Sequence, residues 1–202
     1  MGTIIMINNE KYNNYSGKVA AAYRTKNGRE HLALENHNTI TYQAATVMSH
    51  ILSGNESYRP LYMGFIYAPD GSTFSDPGDP RLRTMATLRD AIESQGGNMI
   101  ISPLQTGKSF ETSGNTEYYF ENAVTFNAVS DPNADLAFSG GGFSNTLPTA
   151  GSDNYFQCVL LSDPKQGIVE DMIPYAIANL TASGLPAQSG LELAIYWTIT
   201  FK

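Results

Sequence analysis

The sequence predicts a mainly β protein: an antiparallel β-sandwich or jelly roll with one or two short helices. The clearest sign is at the C-terminus, where Leu191, Leu193, Ile195, Trp197, Ile199 and Phe201 alternate with Glu192, Ala194, Tyr196, Thr198 and Thr200. That is a period of two with one large apolar face, the pattern of a strand buried on one side. It is about twice the usual strand length and is expected to cross a whole sheet. A second run alternates in the same way, with Tyr118, Phe120, Val124 and Phe126 on one face and Tyr119, Glu121, Ala123 and Thr125 on the other. Leu61 to Tyr67, Met99 to Leu104, Tyr155 to Leu161 and Ile168 to Ala178 are further strand candidates, each bounded by Gly, Pro, Asp or Asn. Strands at such spacing suggest two packed sheets.

Helix is scarce. Tyr42 to Ser53 places Ala44, Val47, Met48, Ile51 and Leu52 in a helical stripe, with Thr39 or Thr41 as the expected cap and Gly54 at the left-handed terminus. A second helix is expected from Asp79, with Pro80 as its first residue and Leu82, Met85, Ala86 and Ile92 on one side. Loops 69–79 and 139–153 are long for a small domain, and long ordered loops on a β scaffold usually meet a partner.

The 202 residues suit one domain. The expected division is an N-terminal arm or extended segment at 1–35 and a single β-sandwich domain at 36–202. With 42% hydrophobic and 15% charged residues, a disordered class is excluded. No apolar run approaches the ~18 residues of a membrane helix, and the brief apolar stretch at the start has no basic segment before it, so neither spanning nor secretion is expected. A single cysteine excludes an intrachain disulfide. The net charge of −7 lies wholly in residues 100–202, which hold three bases against ten acids, and such a surface repels a nucleic-acid backbone.

The motifs with chemical content are weak. Ser102 to Ser109 ends in Thr106-Gly107-Lys108-Ser109 like a phosphate loop, but it lacks the first glycine, and turn residues follow where a helix must begin. Gly142-Phe143-Ser144-Asn145 starts like a nucleophile elbow, with Thr146 in the place of the second glycine. His31, His37 and His50 have no metal-ligand spacing. Asp70, Asp76 and Asp79 share a loop but match no EF-hand, and Asp beside Gly or Pro is ordinary turn chemistry. Cys158 lies in an apolar run and reads as a buried inert thiol. No catalytic residue, cofactor or metal is expected from these residues.

The order of features resembles the virion structural proteins of tailed bacteriophages over residues 36 to 202. Asn38-Thr39-Ile40-Thr41 leads into a short helix ending Ile51-Leu52-Ser53-Gly54. The strand Leu61 to Tyr67, the 69–79 loop and Asp79-Pro80-Arg81-Leu82 follow, and the chain closes on Leu191-Glu192-Leu193-Ala194-Ile195-Tyr196-Trp197-Thr198-Ile199-Thr200-Phe201. A Glu-x-Gly-Leu-Phe step of many such proteins is represented here only by Ser139-Gly140-Gly141-Gly142-Phe143. The resemblance implies a non-enzymatic repeated subunit in a virion, with a capsid decoration or cement role favoured over a tail, baseplate or fibre role. It implies a homo-oligomer bound to major capsid or other virion proteins, held by many modest contacts.

Tyr12, Tyr15, Lys18, Tyr23, Arg24, Lys26 and Arg29 are the expected partner-binding residues, because residues 1–35 hold five bases against three acids. The competing class is a carbohydrate-binding module, with Tyr12, Tyr15, Tyr23, Tyr58, Tyr62, Tyr67, Tyr118 and Tyr119 as candidate platforms for a glycan. Neither nucleic acid nor a membrane is an expected partner.

Overall fold

A computed structural model describes residues 15–72, 79–104, 109–116, 119–130, 143, 146–165 and 168–201. They form two antiparallel sheets. The first holds β1 (Tyr15–Thr25), β2 (Glu30–His37), β6 (Ser109–Thr116), β7 (Tyr119–Val129) and β11 (Leu191–Phe201), in the order β2-β1-β11-β7-β6. The second holds β3 (Thr39–Ile40), β4 (Pro60–Pro69), β5 (Asn98–Pro103), β8 (Asp153–Ser162) and β9 (Ile173–Asn179), in the order β3-β9-β8-β4-β5, with the short β10 (Leu185–Pro186) beside β8. Early and late strands pair in a nested series: β1 with β11, β3 with β9 and β4 with β8. Nested pairing of this kind gives the sandwich its jelly-roll character.

Side-chain alternation sorts residues to the layers. Val19 and Ala21 of β1 and Leu193, Ile195, Trp197 and Ile199 of β11 meet Met63, Phe65, Cys158 and Leu160 of the second sheet in the main core. The other face of the second sheet is also covered. Ile66, Met99, Ile101, Val159 and Leu161 pack under Met85, Leu88 and Ile92 of α2 (Met85–Glu93) and under Val169 and Met172. Strands β4 and β8 therefore read as unbroken apolar runs. At Gly64 the helix-side layer comes so close that an added Cβ would lie 2.5 Å from the Met99 sulfur. α1 (Gln43–Leu52) packs on β9 and sends Ala44 and Val47 into the core. No helix among the described residues is long and apolar enough to cross a membrane.

Several sequence expectations are corrected. Residues 15–35 are not an arm: β1 lies between β2 and β11, and its Val19 and Ala21 are fully buried. α1 has no side-chain cap, because the Thr41 hydroxyl instead donates to the Pro174 carbonyl at 2.5 Å. Gly54 does take the left-handed conformation, at φ +89°. The helix expected from Asp79 is one 3-10 turn at Pro80–Leu82, with Asp79 accepting the Arg81 N–H at 3.0 Å. α2 starts later, where Thr84 and Thr87 form a reciprocal capping box worth about 1 kcal/mol. The strand expected from Ile168 begins as a 3-10 turn at Val169–Asp171 and becomes β9 only at Ile173.

Candidate functional site

The β1–β2 hairpin is the feature that brings sequence-expected residues to a concave surface. Its turn, Thr25 to Arg29, closes with the Gly28 N–H on the Thr25 carbonyl at 2.8 Å and the Thr25 N–H on the Arg29 carbonyl at 2.9 Å. Gly28 supplies the positive φ of +77° that the reversal needs. Lys26 and Arg29 project from this turn, both exposed.

Two adjoining clefts flank the hairpin. One, of about 450 Å³, runs between Tyr23, Leu32 and Ala33 of the hairpin and Leu185, Pro186 and Leu191, with Arg29, Glu30 and His31 also lining it. The other, of about 330 Å³, lies between Leu147, Pro148, Ala150 and Ala187, with Lys26 and Glu192 at its rim. Gln188 and Leu191 line both clefts and so form the ridge between them. Leu32, 56% exposed, adds an uncovered aliphatic side chain.

The walls are fixed by hydrogen bonds across long chain separations. Tyr23 Oη donates to the Pro186 carbonyl at 2.6 Å, which locks the hairpin to the β10 segment. Burial raises the Tyr23 pKa, against a smaller lowering from Gln188. On the outer face of the first sheet, Tyr196 Oη donates to Glu30, whose carboxylate also lies 3.9 Å from Arg24. Burial and the Glu30 charge push the Tyr196 phenol up to about 12. Arg24 is thus engaged within the sheet, while Lys26 and Arg29 are the cations presented at the clefts.

The expected partner-binding set is therefore divided. Tyr23, Lys26 and Arg29 line the clefts. Lys18 is exposed farther along β1, opposite Thr198 and His37. Tyr15 opens β1 opposite Phe201, and Tyr12 lies outside the described residues. Leu32, Leu185, Pro186, Gln188 and Leu191 were missed by sequence reasoning. Only Leu32 carried a local signal, as the first of two leucines, Leu32 and Leu34, that flank Ala33 between the polar ends of Glu30 to His37.

The remaining motifs resolve into packing. His31 and His37 stand at opposite ends of β2, and the His50 ring stacks on Tyr58 with centroids 3.8 Å apart. Asp70 accepts the Gly71 N–H and the Asn154 amide, both at 2.9 Å, which is turn chemistry, and Asp76 lies outside the described residues. Residues 105–108 of the phosphate-loop-like stretch are also outside them, but strand β6 starts at Ser109 where that motif needs a helix. Cys158 is fully buried, which pushes its thiol pKa well up and makes it a poor nucleophile. Among the described residues no group of three or more His, Cys, Asp or Glu side chains could hold a metal.

The candidate glycan platforms are largely engaged. Tyr67 is 8% exposed and donates to the Thr146 carbonyl at 2.9 Å, Tyr23 is held by Pro186, and Tyr58 carries His50 on its ring. Tyr62 is half-buried, and the side chains of Tyr118 and Tyr119 are outside the described set. No protein-family model, curated protein or solved structure matches this chain.

Proposed function

We propose that this chain is a non-enzymatic structural subunit of a tailed-phage virion, a capsid decoration or cement protein that docks on neighbouring protein through the β1–β2 hairpin end. The pair of apolar clefts beneath Lys26 and Arg29 is the observation that carries the reading. Apolar concavities with a few polar groups at the rim suit an inserted protein segment, and Lys26 and Arg29, which stand beside Glu192 and Glu30, call for acidic groups at matching positions on the partner. The chain's own C-terminal half is acidic, so a second copy meets that requirement as well as a capsid subunit does.

Other features support a packing role. The titratable groups described are largely tied into the scaffold: Arg89 to Glu170 at 2.9 Å, Lys165 to Asp171 at 2.9 Å and Arg81 to Asp79 at 2.7 Å. A tail, baseplate or fibre location uses the same surface. The virion assignment itself rests on the order of sequence features set out above.

Electron microscopy of the native particle tests the proposal, with mass photometry of the purified chain beside it. The expected result is density for the sandwich on the particle surface, hairpin end inward, and a defined oligomer or particle-bound form. Micromolar binding to a glycan array by a monomeric chain that is absent from particles would overturn it.

A further inference from the structure

Asn27 and Gly28 form the only Asn-Gly pair in the sequence, and the fold sets it at the exposed tip of the β1–β2 hairpin. In such a pair the carboxamide carbon readily meets the following backbone nitrogen, because glycine has no Cβ to block the approach. The surroundings keep that path open. A Cβ added at Gly28 would meet nothing within 4 Å, and no hydrogen bond holds the Asn27 carboxamide among the described residues. Two other exposed asparagines are tied down and precede bulkier residues. Asn55, before Glu56, accepts the Ser57 N–H at 3.3 Å and the Ser57 hydroxyl at 2.6 Å. Asn36, before His37, donates to the Asn179 and Leu180 carbonyls at 2.8 and 3.2 Å.

The Gly28 nitrogen is the nucleophile. Its N–H donates to the Thr25 carbonyl at 2.8 Å, so that one bond must open before attack. Opening is cheap at an exposed turn with few packed neighbours. Lys26 and Arg29, the exposed cations on either side, favour the nitrogen anion that attack requires.

We propose that Asn27 is a self-modification site, converted by its own backbone to an aspartyl or isoaspartyl residue. The Gly28 N–H gives its proton to solvent base, and the nitrogen bonds to the Asn27 Cγ. The Cγ–Nδ2 bond breaks, and the amide leaves as ammonia with a proton returned from solvent. Water then opens the cyclic imide at either of its carbonyls. Nothing is oxidised or reduced, and water is the only co-reactant.

The conversion rests on the turn alone, whereas its effect on docking rests on the reading given above. Lys26 and Arg29 give the turn a charge of +2, and a carboxylate at position 27 lowers it to +1. The isoaspartyl form also adds a methylene to the backbone of the turn, which draws the Gly28 N–H away from the Thr25 carbonyl. An ageing chain therefore loses attraction for acidic groups on its partner.

Ageing of the full-length chain in mildly alkaline buffer, followed by peptide mapping with mass spectrometry, tests the chemistry. Conversion at Asn27 is expected at least tenfold faster than at Asn55, and Gly28→Ala should slow it severalfold. Conversion at Asn27 no faster than at Asn55 overturns the proposal, as does an unchanged rate in Gly28→Ala. Co-sedimentation with native particles reads the consequence. Asn27→Asp should weaken attachment severalfold, and Asn27→Gln, whose longer side chain closes its ring far more slowly, should keep its attachment on ageing. Full attachment by Asn27→Asp where Lys26→Glu is weakened overturns the charge effect. Full attachment by both variants overturns the docking reading and leaves the conversion at Asn27 standing on the peptide map.

Discussion

Tyr155 Oη donates to Ser130 Oγ at 3.2 Å across the sandwich, and the same oxygen accepts the Leu193 N–H at 2.9 Å. One fully buried hydroxyl thus joins β8 of the second sheet to the end of β7 and to β11 of the first. The two ends of this bond are not equivalent. Ser130→Ala leaves both the Tyr155 phenol and the Leu193 N–H buried without this partner, at a cost of about 1–3 kcal/mol, whereas Tyr155→Phe removes a donor and strands less, at about 0.5–1.5 kcal/mol. Urea unfolding of both variants and the double variant checks the order; a larger loss in Tyr155→Phe would show that the bridge does not govern the energetics.

The same phenol makes stability fall at high pH. Burial pushes Tyr155 up to about 12, against an unfolded value of about 10. The folded protein therefore holds this proton more tightly than the unfolded chain does. The stability it contributes is complete below about pH 10 and is lost as the pH rises toward about 12. Tyr196, raised in the same way, acts over the same window, and the Cys158 thiol adds a loss that begins nearer pH 8.5, where the unfolded thiol ionises. Urea midpoints from pH 7 to 11 should fall less steeply above pH 10 in Tyr155→Phe, and less steeply from pH 8.5 in Cys158→Ala. Profiles that superimpose on the parent would refute the assignment.

Two glycines with the same backbone angle should differ in their tolerance of a methyl group. Gly28 has φ +77° and open space where its Cβ would go, so Gly28→Ala costs only the left-handed penalty of about 1–2 kcal/mol. Gly184 has φ +74°, and a Cβ there would sit 2.6 Å from the Asn154 Cβ and 3.1 Å from the Phe156 ring. Overpacking adds about 1–3 kcal/mol to the backbone cost. Thermal unfolding should place Gly184→Ala clearly below Gly28→Ala, and equal midpoints would mean that the loop around residue 184 yields freely.

What the sequence revealed follows from how many faces each strand buries. β11 is legible because one face holds Leu193, Ile195, Trp197 and Ile199 and the other does not, so the period survives in the letters. β4 and β8 are visible only as apolar runs, since Ile66 faces α2 while Phe65 faces the first sheet. β1 escapes detection because several of its positions are Ala or Gly: Ala22 is only 4% exposed, and Gly17 leaves room for the Asn38 side chain. β2 is a largely exposed edge strand with too little apolar contrast to show a period. The clefts were out of reach for another reason. Tyr23 and Pro186 are 163 residues apart, and nothing local to either announces the other.

The docking surface makes a salt-dependent prediction. Lys26→Glu and Arg29→Glu change exposed side chains and should leave the folding midpoint within about 0.5 kcal/mol of the parent. Attachment to an acidic partner should weaken severalfold at low ionic strength and less at high, since exposed charges are screened beyond about 10 Å at 0.1 M salt. Leu32→Asp should weaken attachment at every salt concentration, because it removes apolar contact. Co-sedimentation with native particles across a salt series reads all three, and attachment indifferent to them would move the interface elsewhere.

Truncation separates a dispensable leader from an integral strand. Removing residues 1–14 leaves β1 whole, from Tyr15 opposite Phe201 to Thr25 opposite Leu191, so the shortened chain should still unfold cooperatively. Extending the deletion to residue 30 removes the strand between β2 and β11, takes the fully buried Val19 and Ala21 from the core, and exposes one side of Trp197 and Ile195 along with the backbone edge of β11. A bared apolar edge of that length invites pairing with other chains. The longer truncation should therefore lack a cooperative transition and aggregate, as read by near-UV circular dichroism and light scattering. A soluble, cooperatively melting chain lacking residues 1–30 would show that β1 is an accessory to the sandwich after all, and would restore the whole N-terminal stretch as a detachable arm.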